Sequence, residues 1–301
     1  MSSCTLCQPF GQLLQERNAI SDESLLVSVI IPTLNSSRTL AMCLRSIRQQ
    51  THKRIEFLIV DGASSDNTVE IANKCGAIVE RTSIRNRSVQ RNLGVLHANG
   101  ELLLFVDSDE VLHPNFVEDC VRQVARERLD GLFVPTIDTG SSYFGKSRCL
   151  GDLIQISLSS EIHISNSALR FCSKRLFIDV DGYDDKLVIG EDAVLELTAI
   201  GRGFKLGRCN YPVLHYGVEG LGNILMKKFS YGKVFGKYEE KANTLDLSPK
   251  MKYIQAGFFF IKNFVKCREY TRHILGYVIV KAIEFSGLAL GSFFGQFSGK
   301  S

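Results

Sequence analysis

The chain reads as an α/β protein with a mostly parallel central sheet flanked by helices. Three observations predict this. Short β-branched apolar runs alternate with helical patterns from residue 25 to about 137. Polar residues recur where those runs end. The spacing between runs is long enough for crossover helices, which a parallel sheet requires.

The elements follow in order. LLVSVIIP, beginning at residue 25, is a strand closed by Pro32, and Leu40, Leu44 and Ile47 then mark one face of a helix. EFLIVDG is a second strand ending at Asp61, and SSDNTVEIANKC is a helix with Asp66 near its start. AIVE is a short third strand, and RNRSVQRNLGVLHANG is a helix with a terminal glycine. ELLLFVDSDE is a fourth strand running into Asp107 and Asp109, and PNFVEDCVRQVARE is a helix opened by Pro114. GLFVPTI at 131–137 is a further apolar run, after which the alternation stops and 138–165 reads as irregular. AVLELTAI is helical, with Glu191 and Asp192 in its first turn. FKLGRCNYPVLHYG supplies two short strands that bring His215 to the sheet edge.

Composition narrows the function. The formal net charge of +4 over 301 residues gives no case for a nucleic-acid partner. The charge is unevenly placed: residues 219–301 carry thirteen Lys or Arg against six acidic residues. Nine scattered cysteines do not form a disulfide pattern, and Cys4–Cys7 alone is too few ligands for a structural zinc. The first 24 residues form a leader without the basic start and apolar stretch of a signal peptide. Reduced thiols and a cytoplasmic setting are the expectation.

In open α/β sheets, ligands gather beyond the carboxyl ends of the strands. Asn35, Asp61 and Asp107 all fall there. No G-x-G-x-x-G or G-K-[ST] loop is present, so a phosphate would be held by other means. Two carboxylates at one strand end are costly unless paired or metal-bound, which makes Asp107 and Asp109 candidates for a cation.

SVIIPTLNSSRTLAMCLRSI, LIVDGASSDNT, RNLGVLHANGELLLFVDSDE and GEDAVLELTAIGRG, in this order and spacing, resemble the family 2 glycosyltransferases over residues 25–217. The resemblance implies the GT-A fold, with nucleotide-sugar binding over 25–110 and the acceptor side over 111–218. It implies inverting transfer of a sugar from a nucleotide sugar, a UDP-sugar in the first instance. Pro32, Thr33 and Asn35 would line the nucleotide pocket, Asp61 would contact the base and Asp66 would order the neighbouring loop. Arg91 would lie beside the diphosphate. Asp107-Ser108-Asp109 matches the D-x-D motif: Asp107 and Ser108 would face the nucleotide, and Asp109, with Asp107 and His215, would meet Mg²⁺ or Mn²⁺. Asp192 would be the catalytic base with Glu191 beside it, their like charges raising the pKa of one member. Asn166 and Arg170 are candidates for the acceptor side.

The residue types fit that chemistry. A metal held by hard oxygens offsets charge on a departing diphosphate. A carboxylate can take the proton of an attacking hydroxyl. The Q-x-x-R-W motif of polymer-forming members cannot be present in a chain without tryptophan, so one sugar is expected per acceptor. A sugar nucleotidyltransferase and a non-catalytic nucleotide-sugar-binding scaffold are the competing readings.

Residues 219–301 are expected to be helical, basic and amphipathic, with Lys227, Lys228, Lys233 and Lys237 on the first helix. The longest uncharged run, 285–299, is shorter than the roughly 20 residues a span requires. Two helices lying against an anionic membrane surface are therefore expected, with a lipid-linked saccharide as acceptor. Packing on the catalytic body and a homodimer interface are the alternatives.

Overall fold

The computed structural model describes residues 25–158, 167–217, 220–244 and 271–298. The leader, Asn166 and residues 245–270 of the expected C-terminal helical region lie outside these residues.

Nine strands form one mixed sheet, in the order β3-β2-β1-β4-β7-β6-β9-β5 with β8 also on β6. The first half is wholly parallel. β1 (Val27–Thr33) pairs with β2 (Ile55–Asp61) and with β4 (Leu102–Phe105), and β2 pairs with β3 (Ile78–Arg81). The second half is mixed. β7 (Ser167–Ser173) runs antiparallel to both β4 and β6 (Gly131–Asp138). β8 (Leu206–Arg208) and β9 (Val213–His215) pair in parallel with successive stretches of β6, and β5 (Glu110–Val111) pairs antiparallel with β9. The expected mostly parallel sheet is thus borne out, with five parallel pairings against three antiparallel ones among the described residues.

Strand alternation builds two cores. Val27, Val29, Ile31, Leu102 and Leu104 face one side, where Leu40 and Leu44 of α1 (Leu40–Arg48) and Phe116 and Cys120 of α4 (Phe116–Glu127) cover them. Ile30, Leu103 and Phe105 face the other, under Val95 of α3 (Arg87–His97), Leu176 of α6 (Lys174–Asp179) and Leu195 of α7 (Glu191–Gly201). The short α2 (Thr68–Lys74) completes the first half.

Some boundaries differ from the sequence reading. Pro32 lies inside β1, opposite Val60, but past Ile30, where the pairing of β1 with β4 ends, so its missing N–H costs the ladder nothing on that side. α4 starts two residues after Pro114, with Asn115 at its N-cap. Residues 143–158, expected to be irregular, form helix α5 (Tyr143–Leu158), whose small residues accept a neighbouring helix.

That neighbour is C-terminal. α8 (Leu221–Thr244) and α9 (Thr271–Ser298) run side by side in the same direction. A Cβ at Gly287, Gly291 or Gly295 would fall within 2.8, 2.0 and 2.5 Å of the carbonyl oxygens of Leu225, Phe229 and Lys233. A glycine every fourth residue on α9 therefore lets the two backbones touch. The first part of α9 packs on α5, where a Cβ at Gly151 would strike the Tyr277 ring at 2.0 Å.

Candidate functional site

The site begins at the end of β4. Val106 N–H still donates to Ile30 O, and then the chain turns. Glu110 N–H donates to Asp107 O at 3.0 Å, and the Glu110 carboxylate accepts from Asp107 N–H at 2.8 Å. The D-x-D stretch is therefore a turn between β4 and β5, not a strand end. Glu110 is 1 % exposed and also accepts from Arg170, so it clamps the turn from beneath.

The register of β5 with β9 then selects the partner of Asp109. Glu110 lies opposite His215, and Tyr216 N–H donates to Asp109 O at 2.8 Å. Across this pairing His215 Nε2 lies 3.2 Å from Asp109 Oδ2. Burial disfavours charge on His215, but the hydrogen bonds it donates to Asp109 and Asp138 outweigh it and raise the pKa to about 10.

Asp107, two residues earlier, points elsewhere. It lies 2.9 Å from Arg91 Nη2, 3.6 Å from Arg170 and 4.0 Å from Arg87. Burial opposes its charge, but these guanidinium groups hold its pKa far below the usual carboxylate range. Arg91 continues the chain of contacts to Asp192 Oδ1 at 3.2 Å and Glu191 Oε1 at 3.5 Å. Arg91 is 1 % exposed and is a buried crossbar between the two acidic motifs. It does not line the cavity where a diphosphate would lie.

A cavity of about 540 Å³ opens above these residues. Asp107, Ser108, Asp109, Asp192 and His215 line it, as do Pro32 and Thr33. Its cationic lining comes from Arg85, Arg87, Arg170 and Lys227, the last reaching over from α8. The structure thus gathers most of the sequence-predicted set in one place. Arg170 lines it too, while Arg85, Arg87, Glu110, Asp138 and Lys227 carried no motif that singled them out.

The remaining described residues of the predicted set do not line the cavity. Glu191 is 4 % exposed and does not line the cavity; burial, and then Asp192, push its pKa up to about 7. Asp61 is fully buried, accepting from Thr33, from Ser64 N–H and from Ser64 Oγ, with Arg81 3.8 Å away. Asn35 takes a positive φ of 50° and accepts from Ser65 N–H, pinning the loop after β1 to the loop after β2. Asp66 accepts from Ser37 N–H and Thr68 N–H, ordering that same loop.

The donor set of Asp109 and His215 fits a hard divalent cation. A carboxylate oxygen and an imidazole nitrogen converge at a polar cavity wall, leaving other positions for water or phosphate oxygens. Among the described residues no three His, Cys, Asp or Glu gather around one point, so the expected third ligand, Asp107, does not join them. The arginines occupy its oxygens instead.

Known proteins resemble this chain in sequence and in shape. GlyG, a glycosyltransferase of Streptococcus pneumoniae, is 31 % identical over 111 residues, which cover 35 % of this chain and 37 % of GlyG. AglE, a glycosyltransferase of Haloferax volcanii, is 25 % identical over 218 residues, covering 69 % of this chain and 72 % of AglE. The mannosyltransferase PcManGT of Pyrobaculum calidifontis, solved with GDP-Man and Mn²⁺, superposes with a TM-score of 0.62 at 14 % identity, covering 97 % of this chain and 94 % of that one. The family model described as "Glycosyl transferase family 2" matches residues 28–180, half of the chain, and the protein belongs to that family.

Proposed function

We propose that the protein transfers a single sugar from a nucleotide sugar, UDP-linked in the first instance, to an acceptor hydroxyl with inversion at the anomeric carbon. The observation that carries this reading is one cavity lined by Asp192 on α7 and by the Asp109–His215 pair on the β5–β9 ladder. Asp109 and His215 would hold Mg²⁺ or Mn²⁺, which when bound offsets the charge growing on the departing diphosphate. Because the chain supplies two ligands, the donor's own phosphates would supply others.

The chain's own residues do the rest. Arg85, Arg87, Arg170 and Lys227 give the cavity a cationic lining for the diphosphate. Asp192 takes the proton of the acceptor hydroxyl as it attacks. Arg91 fixes Asp192 by one oxygen, and Glu191 acts only through that arrangement, since it does not reach the cavity. Asp61, Asn35 and Asp66 shape the nucleotide side. No second carboxylate is required as a nucleophile, because one displacement inverts the centre.

The acceptor is proposed to be a lipid-linked saccharide at a membrane surface, on the cytoplasmic face. Support comes from α9, which is built inside out. Leu275, Val278, Phe285, Leu290 and Phe293 point outward, each at least half exposed, while Glu284 turns inward. Residues Leu275–Gly295 are long and apolar enough to cross a membrane, and only 17 % of their most apolar window is buried, unlike a soluble core helix. Yet α5 and α8 hold one flank of α9 along its length, which favours a helix lying in the interface over one that spans. Lys227 lines the cavity from α8, so the catalytic cavity and the apolar face share one helix pair. Of the two charges on this stretch, Glu284 faces the protein, while Lys281 bonds it at 2.9 Å from a half-exposed position.

Two experiments test this reading. Incubation with a panel of nucleotide sugars and lipid-linked acceptors should release nucleoside diphosphate with one donor, and NMR of the product should show the inverted anomer. Retained configuration refutes direct displacement. Phe285→Glu with Phe293→Glu should abolish flotation with anionic vesicles; undiminished flotation refutes membrane contact through α9.

A further inference from the structure

The Asp109–His215 pair is held in place by residues that the reading above does not use. His215 Nδ1 lies 2.5 Å from Asp138 Oδ1. Asp138 holds the Nδ1–H, so that Nε2, which faces Asp109 at 3.2 Å, is the nitrogen that would give up its hydrogen to a metal. The two residues lie opposite each other in the β6–β9 register, and Thr139 N–H donates to His215 O at 2.8 Å. Asp138 N–H donates in turn to the buried carboxylate of Asp152 on α5 at 3.0 Å. Gly217 leaves the ring its room: a Cβ there would lie 2.7 Å from His215 Cε1 and 3.0 Å from Nδ1.

The support continues away from the cavity. Arg148 of α5 bonds the second oxygen of Asp138 and lies 3.5 Å from Glu284 of α9. Both Arg148 and Glu284 are largely buried, with side chains 18 % and 12 % exposed. Glu284 is also bonded by Lys281 at 2.9 Å. Within the apolar stretch of α9 these are its charged residues, and they converge on this one contact. A buried carboxylate in an apolar helix is costly unless its partner is present.

We infer that Asp138 is a positioning residue for the metal-binding imidazole, and that Arg148 and Glu284 extend this support to α9, so that seating of the C-terminal helix sets the affinity of the site for its cation. The inference rests on the metal site proposed above. It makes α9 more than an anchor: a helix displaced from α5 withdraws Glu284 from Arg148, and an Arg148 no longer fixed from that side orients Asp138, and through it the His215 ring, less tightly.

The test is Mn²⁺ binding to the full chain in the presence of UDP, read from the loss of the free-Mn²⁺ EPR signal above a UDP-only background. Asp138→Ala should weaken Mn²⁺ by ~10–100-fold. Asp138→Asn should weaken it less, since its amide oxygen still accepts the imidazole N–H. Glu284→Gln should act in the same direction with a smaller change. An unchanged affinity in folded Asp138→Ala overturns the positioning role. If Asp138→Ala fails to fold, Arg148→Met takes its place under the same criterion. Loss in Asp138→Ala with none in Glu284→Gln overturns the link to α9. Wild-type protein that binds no Mn²⁺ overturns the metal reading itself, and this inference with it.

Discussion

The two aspartates of Asp107-Ser108-Asp109 are the same residue type two positions apart, yet they belong to different machines. Asp107 lies among Arg91, Arg170 and Arg87, and its side chain is 17 % exposed. Asp109 is 35 % exposed and meets His215 at the cavity wall. An oxygen already bonded by guanidinium groups has little capacity left for a metal, whereas an oxygen facing one imidazole and open space keeps it. Arg91, behind the cavity, is thus a structural crossbar that ties the D-x-D turn to the Glu191–Asp192 helix. The histidine side is where a cation can enter. Motif spelling does not separate these roles; surroundings do.

Asp192 gives the sharpest way to break this division, because it touches the crossbar yet opens to the cavity. Asp192→Asn should lower kcat by ~10²–10⁴-fold while leaving donor binding within a few-fold. A variant that loses donor binding instead would move Asp192 to the structural side. Arg91→Met comes next. It strands Asp107 and Asp192 without their buried cation and should destabilise the fold by about 3–5 kcal/mol, measured by urea denaturation. Asp109→Asn, at the other end of the motif, should change stability by no more than ~1 kcal/mol in the same assay. Equal losses in these two variants would erase the distinction.

Glu191 sharpens the comparison through pH. Its folded pKa is raised to about 7, so the folded state favours the protonated carboxyl. Its contribution is fully present below the ordinary value near 4.5 and is lost as pH rises to about 7. Thermal unfolding from pH 5 to pH 8 should therefore show a decline that Glu191→Gln flattens. A parallel decline in the variant would assign it to other groups.

Much of this was legible in the sequence, and unevenly so. The first four strands and α1 to α4 follow from period and punctuation, because a parallel sheet covered on both faces writes long apolar runs. β7 and α5 were not legible: SALRFCS alternates weakly, and α5 carries glycines and serines that serve its contact with α9 rather than a helical stripe. The glycine ladder Gly287, Gly291 and Gly295 was visible as small residues at a four-residue spacing and could have announced the packing on α8. Asp109, Asp192 and His215 came from motif resemblance, and the cavity holds all three. Asp138 and Glu110 had no local signal, since their roles arise from the β6–β9 pairing and from the turn between β4 and β5.

The most direct measurement is calorimetric titration of the full chain with a panel of nucleotide sugars, in Mn²⁺ and in EDTA, for wild type and Asp109→Asn. The account predicts that one donor binds, that EDTA weakens it, and that Asp109→Asn weakens it in Mn²⁺ but adds nothing to the loss in EDTA. Donor binding indifferent to both EDTA and Asp109→Asn would contradict the division of the site into an arginine crossbar and a histidine-bearing metal wall.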